Sequence, residues 1–292
     1  MTKEDYCTII YSYLNTFEQK TIQAYKEVDE NNYRNSVIPN NSNLVPVWIF
    51  WWQGIEEIPE MVEICINSIK KNFPTQNVDI HFLDKNNYTE YVSLPSIVEE
   101  KLNTGIIEIA HFSDILRFAL LYKYGGWWID ATIFLGKSLP QEFVCDKHFF
   151  TQKYGFLVDA PYPDPAKGRW STYLLKSPKK LPFFKFLYDC WIFYLERHDT
   201  LLNYYLSDYF IAIAYDNYKW VKNMIDEVPP NNIHTGDLLS FYGNQEYDPE
   251  WIRTLTNDTQ FFKMSYKVDL NKKTDTNKLT TYGAMCEKFL GK

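Results

Sequence analysis

Three residues of the 292-residue sequence could do chemistry together: Asp114, Arg117 and Asp130. Asp114 and Arg117 are three positions apart, so on a helix they share a face. Asp130 follows Trp127-Trp128-Ile129, an apolar run that reads as a buried strand, and so stands at that strand's C-terminal end. Ligands of open α/β sheets bind at such ends. A carboxylate carried there costs solvation unless something pairs with it. A metal-bound diphosphate would supply the partner. A divalent cation held partly by the carboxylate can bridge phosphates and stabilise a leaving nucleoside diphosphate. Arg117 would add a fixed positive charge beside the same phosphates or the sugar they carry. Each residue also has an ordinary structural role open to it. Asp114 can be a first-turn acid on a helix dipole, Arg117 its surface partner, and Asp130 a turn residue. Their combination in one short stretch favours the chemical reading.

The elements that must hold these residues can be traced from the pattern of apolar positions. A helix is expected from Ser113 to about Tyr124, with Ser113 as its cap, Asp114 in its first turn and Gly125-Gly126 as its stop. Upstream, Val45 to Trp52 is an almost continuous apolar run closed by Gln53-Gly54, as in a strand buried on both faces. Pro59 opens a helix with Met61, Ile64, Cys65, Ser68 and Ile69 on one face, and Val78 to Leu83 alternates as a strand. Strand, helix, strand with short links is a βαβ unit and predicts a parallel sheet. A short helix is expected over Ser96 to Leu102. Beyond residue 140 the pattern suggests strands at Phe149 to Thr151 and Ser171 to Leu175, a loop with Pro161, Pro163 and Pro165, and helices over 182–197 and 205–222. At the start, residues 1–36 read as helical and 31–43 as an Asn-rich connector, together a helical appendage over 1–43. Residues 271–292 read as a polar, loosely held tail.

Composition narrows the function classes. The formal net charge of −7 argues against nucleic acid as the main partner, because phosphate backbones want a basic face. Aromatic residues make up 18% of the chain, which suits either ring stacking against a sugar or base, or a large aromatic core. The five cysteines, Cys7, Cys65, Cys145, Cys190 and Cys286, are odd in number and widely spaced, so neither a zinc ribbon nor a disulfide framework is expected. No apolar stretch reaches the ~20 residues of a spanning helix, and Met1 to Tyr6 shows no signal core. The expectation is a soluble cytoplasmic protein, with peripheral contact at the inner face of a membrane left open.

Ser113-Asp114-x-x-Arg117, then a helix, then Tyr124-Gly125-Gly126-x-x-x-Asp130 resembles the donor-site signature of glycosyltransferase family 32 and its relatives. Ile49-Phe50-Trp51-Trp52-Gln53-Gly54, followed by Pro59 and Cys65-x-x-Ser68, is similar to the capsular-polysaccharide synthesis proteins of bacteria. So is Gly125-Gly126-Trp127-Trp128-Ile129-Asp130-Ala131-Thr132. The resemblance is good over residues 44 to 140 and thinner to about 270, where Phe261 to Lys267 looks like the family's closing segment. It implies an α/β, Rossmann-like GT-A fold over 44–270, binding a nucleotide sugar, with added N- and C-terminal helices. It also implies transfer of a hexose with retention, from a nucleotide sugar (UDP-hexose favoured) to a cell-surface polysaccharide or a lipid-linked oligosaccharide. By position, Trp52 would lie near the nucleotide base, Asp114 and Arg117 would contact the donor sugar, and Asp130 would be the first Asp of an Asp-x-Asp motif. The second Asp is Thr132 here, a poorer ligand for a hard cation. A manganese or magnesium ion on Asp130 is therefore expected to be weakly held, to take a ligand from elsewhere such as His234, or to be absent. Related families place a late histidine on the metal, although a plain loop histidine is the commoner case. Two alternatives stand beside the transferase: a catalytically silent carbohydrate-binding relative, and a protein-modifying glycosyltransferase.

Overall fold

The computed structural model describes residues 2–26, 44–74, 76–154 and 164–291. In chain order the elements are α1 (Lys3–Phe17), α2 (Gln19–Ala24), β1 (Val45–Phe50), α3 (Glu60–Asn72), β2 (Val78–Leu83), α4 (Ser96–Asn103) and α5 (Ile109–Tyr124). Next come β3 (Gly126–Ile129), β4 (Ile133–Leu135), α6 (Gln141–Cys145), β5 (Phe150–Thr151), β6 (Leu174–Ser177) and α7 (Pro182–Leu195). The chain closes with α8 (Leu206–Asn217), α9 (Lys219–Asp226), α10 (Pro249–Leu255), β7 (Phe261–Lys263) and α11 (Thr281–Leu290).

The main sheet has the order β2-β1-β3-β6-β5, and β4 and β7 form a separate two-stranded ribbon. β1 runs parallel to both β2 and β3, as the βαβ reading predicts. β6 pairs antiparallel with β3, and β5 antiparallel with β6, so the sheet is mixed. This is the α/β, Rossmann-like architecture expected from the sequence. β3 is buried along its whole length, and so are the last four residues of β1. A near-continuous apolar strand can only lie inside, with layers on both faces. The indoles buried with these strands find acceptors: Trp48 Nε1 donates to the Gly125 carbonyl at 3.0 Å, and Trp127 Nε1 to that of Val144 at 3.1 Å.

The Gly-Gly turn is a steric necessity. Gly125 and Gly126 have φ of 70° and 86°, a region that side chains avoid. A Cβ on Gly126 would come within 2.1 Å of the Pro46 carbonyl oxygen. The turn therefore brings α5 back into β3 hard against β1.

Several boundaries differ from expectation. α5 begins at Ile109, one turn before Ser113. Glu108 is its cap, and the Glu108 amide donates to His111 Nδ1 at 3.1 Å. With the helix already under way at Ile109, Ser113 is not a cap and Asp114 lies in the second turn. β6 is shifted to Leu174–Ser177, and the helix expected over 205–222 is divided by extended backbone at Tyr218. The Tyr218 hydroxyl donates to the Ile22 carbonyl at 2.7 Å, anchoring the break on α2.

The N-terminal helices, read as an appendage, and the helix in the C-terminal segment, read as a polar tail, are both packed. Ile10, Leu14 and Ile22 of α1 and α2 join the main core. The connector over 31–43 lies outside the described residues, as do Pro161 and Pro163. At the other end, residues 281–290 are not a loose tail. Tyr282, Met285, Cys286 and Phe289 form one apolar stripe at helical spacing, hidden in a polar stretch, and they bury against Met61, Ile64 and Cys65 of α3 and Phe134 of β4. Thr280 caps this helix, accepting from the Gly283 amide at 3.0 Å. All five cysteines are free thiols.

Candidate active site

Because β1 and β3 are parallel with Trp48 level with Trp128, their C-terminal ends lie on one edge of the sheet. Asp130 emerges at that edge. Its amide donates to the Tyr173 carbonyl at 2.9 Å, and its own carbonyl accepts from Ile133 at 2.8 Å, closing the turn Asp130-Ala131-Thr132-Ile133. α5 runs behind β3 and aims Arg117 at the same point.

The three residues singled out from the sequence meet. Arg117 Nη1 is paired with Asp114 Oδ1, and Arg117 Nη2 donates to Asp130 Oδ1 at 3.0 Å. The guanidinium is 3% exposed and packs beside the Trp128 indole, with Cζ 4.8 Å from the ring centre. Trp128 Nε1 also donates to Asp130 Oδ1, at 2.9 Å. On its other side Asp114 Oδ2 accepts from Ser207 at 2.7 Å, and Ser207 Oγ accepts from Trp191 Nε1 at 2.9 Å. A bridging arginine held at both arms is rigid, which suits a group that must present fixed charge.

A fourth member was not assigned from the sequence. Lys263 Nζ donates to Asp130 Oδ2 at 2.8 Å and to Thr132 Oγ1 at 2.9 Å. The β4–β7 pairing places it: Lys263 is the register partner of Ile133, and the Met264 amide donates to the Thr132 carbonyl at 2.9 Å. Burial pushes the Asp130 carboxyl up, but the charges of Lys263 and Arg117 and the hydrogen bonds they and Trp128 donate outweigh it. The net direction is below the usual carboxylate range, so Asp130 is an anion.

These residues open onto a cavity of about 360 Å³, within the range of small-ligand sites. Asp114, Asp130, Asp164 and Asp208 line it together with Arg117, Lys263 and the tyrosines Tyr154, Tyr173, Tyr204 and Tyr205. Asp208 differs from Asp130. Its carboxylate accepts from Trp170 Nε1 at 2.9 Å, and burial, followed by the nearby charges of Asp164 and Asp114, pushes its carboxyl well above the usual range. Burial also raises Asp164. The cavity thus offers carboxylates and tyrosine edges for sugar hydroxyls, two cations for an anionic group, and in Asp208 a carboxyl whose surroundings favour the protonated form.

Two predicted residues lie elsewhere. Trp52 follows β1 on the same sheet edge but does not line the cavity; its ring meets Phe112 edge-on at 5.1 Å. His234 also stands off the cavity. Its Nδ1 pairs with Asp237 at 2.7 Å, and its Nε2 lies 3.8 Å from Asp258. Among the described residues no group of three His, Cys, Asp or Glu side chains converges as a metal site. The donor set at the motif does not fit a resident divalent cation: both Asp130 oxygens already accept from cationic donors, and Thr132 accepts from the same ammonium. Lys263 and Asp208 left only faint traces in the sequence, as single charges in Phe261-Phe262-Lys263-Met264 and in the apolar helix Leu206 to Ala214.

An α/β sheet with a charged cavity at the C-terminal edge of its parallel strands has the layout of a ligand-binding site in open α/β folds. The chain belongs to the capsular polysaccharide synthesis protein family, which it matches over residues 2–284. It is 26% identical over 125 residues to the glycosyltransferase afumC of Aspergillus fumigatus, covering 40% of this chain and 29% of that protein. It is 34% identical over 98 residues to the O-glycosyltransferase braB of Annulohypoxylon truncatum, covering 30% of this chain and 23% of that one. The chain thus spans about a quarter of the length of the curated relatives it matches. Among solved structures it is similar to the PaToxG glycosyltransferase, with a TM-score of 0.38 and 16% identity over 76% of this chain and 90% of that one. No described helix is long and apolar enough to cross a membrane.

Proposed function

We propose that this chain is a GT-A glycosyltransferase that moves a hexose from a nucleotide sugar, UDP-hexose in the first instance, to a polysaccharide or lipid-linked oligosaccharide precursor, with retention. The observation that carries the reading is the Asp114–Arg117–Asp130 bridge at the C-terminal edge of the parallel strands, facing a cavity of about 360 Å³. Family membership and the glycosyltransferase relatives support it.

The roles follow from the chemistry on that edge. Asp114 and Asp130 accept hydrogen bonds from donor-sugar hydroxyls, and Arg117 holds both carboxylates in place while countering the negative charge of the phosphates. Trp52 supports the nucleotide base further along the same edge. The bond from the anomeric carbon to the phosphate oxygen breaks, and the acceptor oxygen bonds to that carbon on the same face. The acceptor's proton leaves on the departing phosphate. Asp208, whose carboxyl burial and the neighbouring Asp164 and Asp114 push upward, is suited in its protonated form to donate a hydrogen bond to a sugar hydroxyl.

A panel of nucleotide sugars tests this by thermal stabilisation and nucleotide release, because a ligand bound only by the folded state raises its apparent stability. Stabilisation by one donor, with nucleotide release raised by a lipid-linked glycan, is the expected result. Binding of glycans without release of nucleotide from any donor would instead identify a silent carbohydrate-binding protein.

A further inference from the structure

We propose that the Lys263 ammonium takes the place a divalent cation would hold at the motif, so that binding of the donor diphosphate by this chain is independent of metal. The inference rests on the donor-site reading above. Lys263 Nζ lies 2.8 Å from Asp130 Oδ2 and 2.9 Å from Thr132 Oγ1, the side chains at the first and third positions of the motif turn. A cation shared by those two positions would occupy the point that the ammonium fills.

The placement is built into the backbone. Lys263 sits opposite Ile133 in the β4–β7 ribbon, its amide donates to the Thr235 carbonyl at 2.7 Å, and the Met264 amide donates to Thr132 at 2.9 Å. The motif turn and β7 are tied on both sides of the lysine, so the ammonium does not depend on a mobile loop. Asp130 Oδ1 is taken by Arg117 and Trp128. A dication approaching Asp130 would meet an ammonium and a guanidinium at close range, and like charges there oppose its binding.

Thr132 and Lys263 also suit each other. A hydroxyl is a poor ligand for a hard cation but a good acceptor from an ammonium. An ammonium carries three N–H donors, and two are committed to Asp130 and Thr132. Lys263 is 34% exposed and lines the cavity, so the third can reach a phosphate oxygen of a bound diphosphate. Lys263 and Arg117 together then supply fixed positive charge to the leaving group, the service a metal gives elsewhere.

The test is calorimetric binding of UDP and of GDP to the whole protein, in EDTA and in manganese, for the wild type, Lys263→Met and Lys263→Arg. Wild-type affinity is expected to agree within about twofold between EDTA and manganese. Lys263→Met should weaken binding at least about tenfold in both, and Lys263→Arg should recover most of it. A tenfold or greater loss of wild-type affinity in EDTA would overturn the proposal while leaving the transferase reading intact. Absence of UDP and GDP binding in both conditions would remove the donor reading and this proposal together. If Lys263→Met does not fold, the wild-type comparison decides alone.

Discussion

Two walls of one cavity treat the same side chain in opposite ways. On the β3 wall, Asp130 is held between Lys263, Arg117 and Trp128, and its carboxyl lies below the usual range. On the α8 wall, Asp208 has an indole N–H for its partner in place of a cation, and burial with two neighbouring carboxylates raises it. What differs is the company each keeps: cationic partners hold the Asp130 carboxyl down toward the anion, and burial beside other carboxylates pushes the Asp208 carboxyl up toward the acid. One wall is thereby suited to anchor and balance charge, and the other to donate a hydrogen bond.

The sharpest way to break this contrast is Asp130→Asn. It removes the anion that Lys263 and Arg117 hold between them, and transfer should fall by about a hundredfold or more. Nucleotide release per enzyme, with a thermal melt to confirm folding, reads the result; near-normal turnover would make the β3 wall merely structural.

Glu18 extends the comparison beyond the cavity. It is fully buried, with Thr21 Oγ1 donating to Oε2 at 2.7 Å, and burial pushes its carboxyl up to about 7. A raised folded value means its stability contribution is fully present below about 4.5, the ordinary glutamate value, and is lost as the pH rises to and through about 7. Glu18→Gln stays neutral, so it should be more stable than wild type at pH 8 by about 3 kcal/mol and equal to it near pH 4. Urea denaturation at the two pH values checks the sign.

Arg117→Lys should cost about tenfold in transfer, because an ammonium cannot span Asp114 and Asp130 as the guanidinium does. The smallest effect is predicted for Asp208→Asn. An amide resembles the protonated acid, so transfer should stay within about threefold of wild type. The raised Asp208 carboxyl contributes stability at low pH that is lost as the pH rises through its folded value, and the amide variant should not show that loss. A hundredfold fall in transfer would mean that Asp208 works as an anion after all, and the contrast between the walls would fail.

Much of the site was legible because its first members are local. Asp114 and Arg117 share a helix, one Gly-Gly turn returns the chain, and Asp130 ends the next strand, so spacing alone brings them near. The helix start was misplaced because Glu108 with His111 is an unusual cap, while Ser113 is a common capping residue type. The C-terminal stripe was missed because Tyr282, Met285, Cys286 and Phe289 are spread through polar neighbours, and their partners lie on α3 and β4. Lys263 stood in plain view in β7, but its meaning depends on pairing with a turn 133 positions earlier.

By itself the sequence determined the βαβ frame, the obligatory glycine turn and the acid–arginine–acid edge. Apolar periodicity, forbidden φ angles and helical spacing are local properties, and a short window carries them. Only the tertiary structure decided the electrical state of the site. Which way each carboxyl is pushed, and that Lys263 stands beside Thr132, depends on burial and on charges brought in from distant strands and helices, which no local window contains.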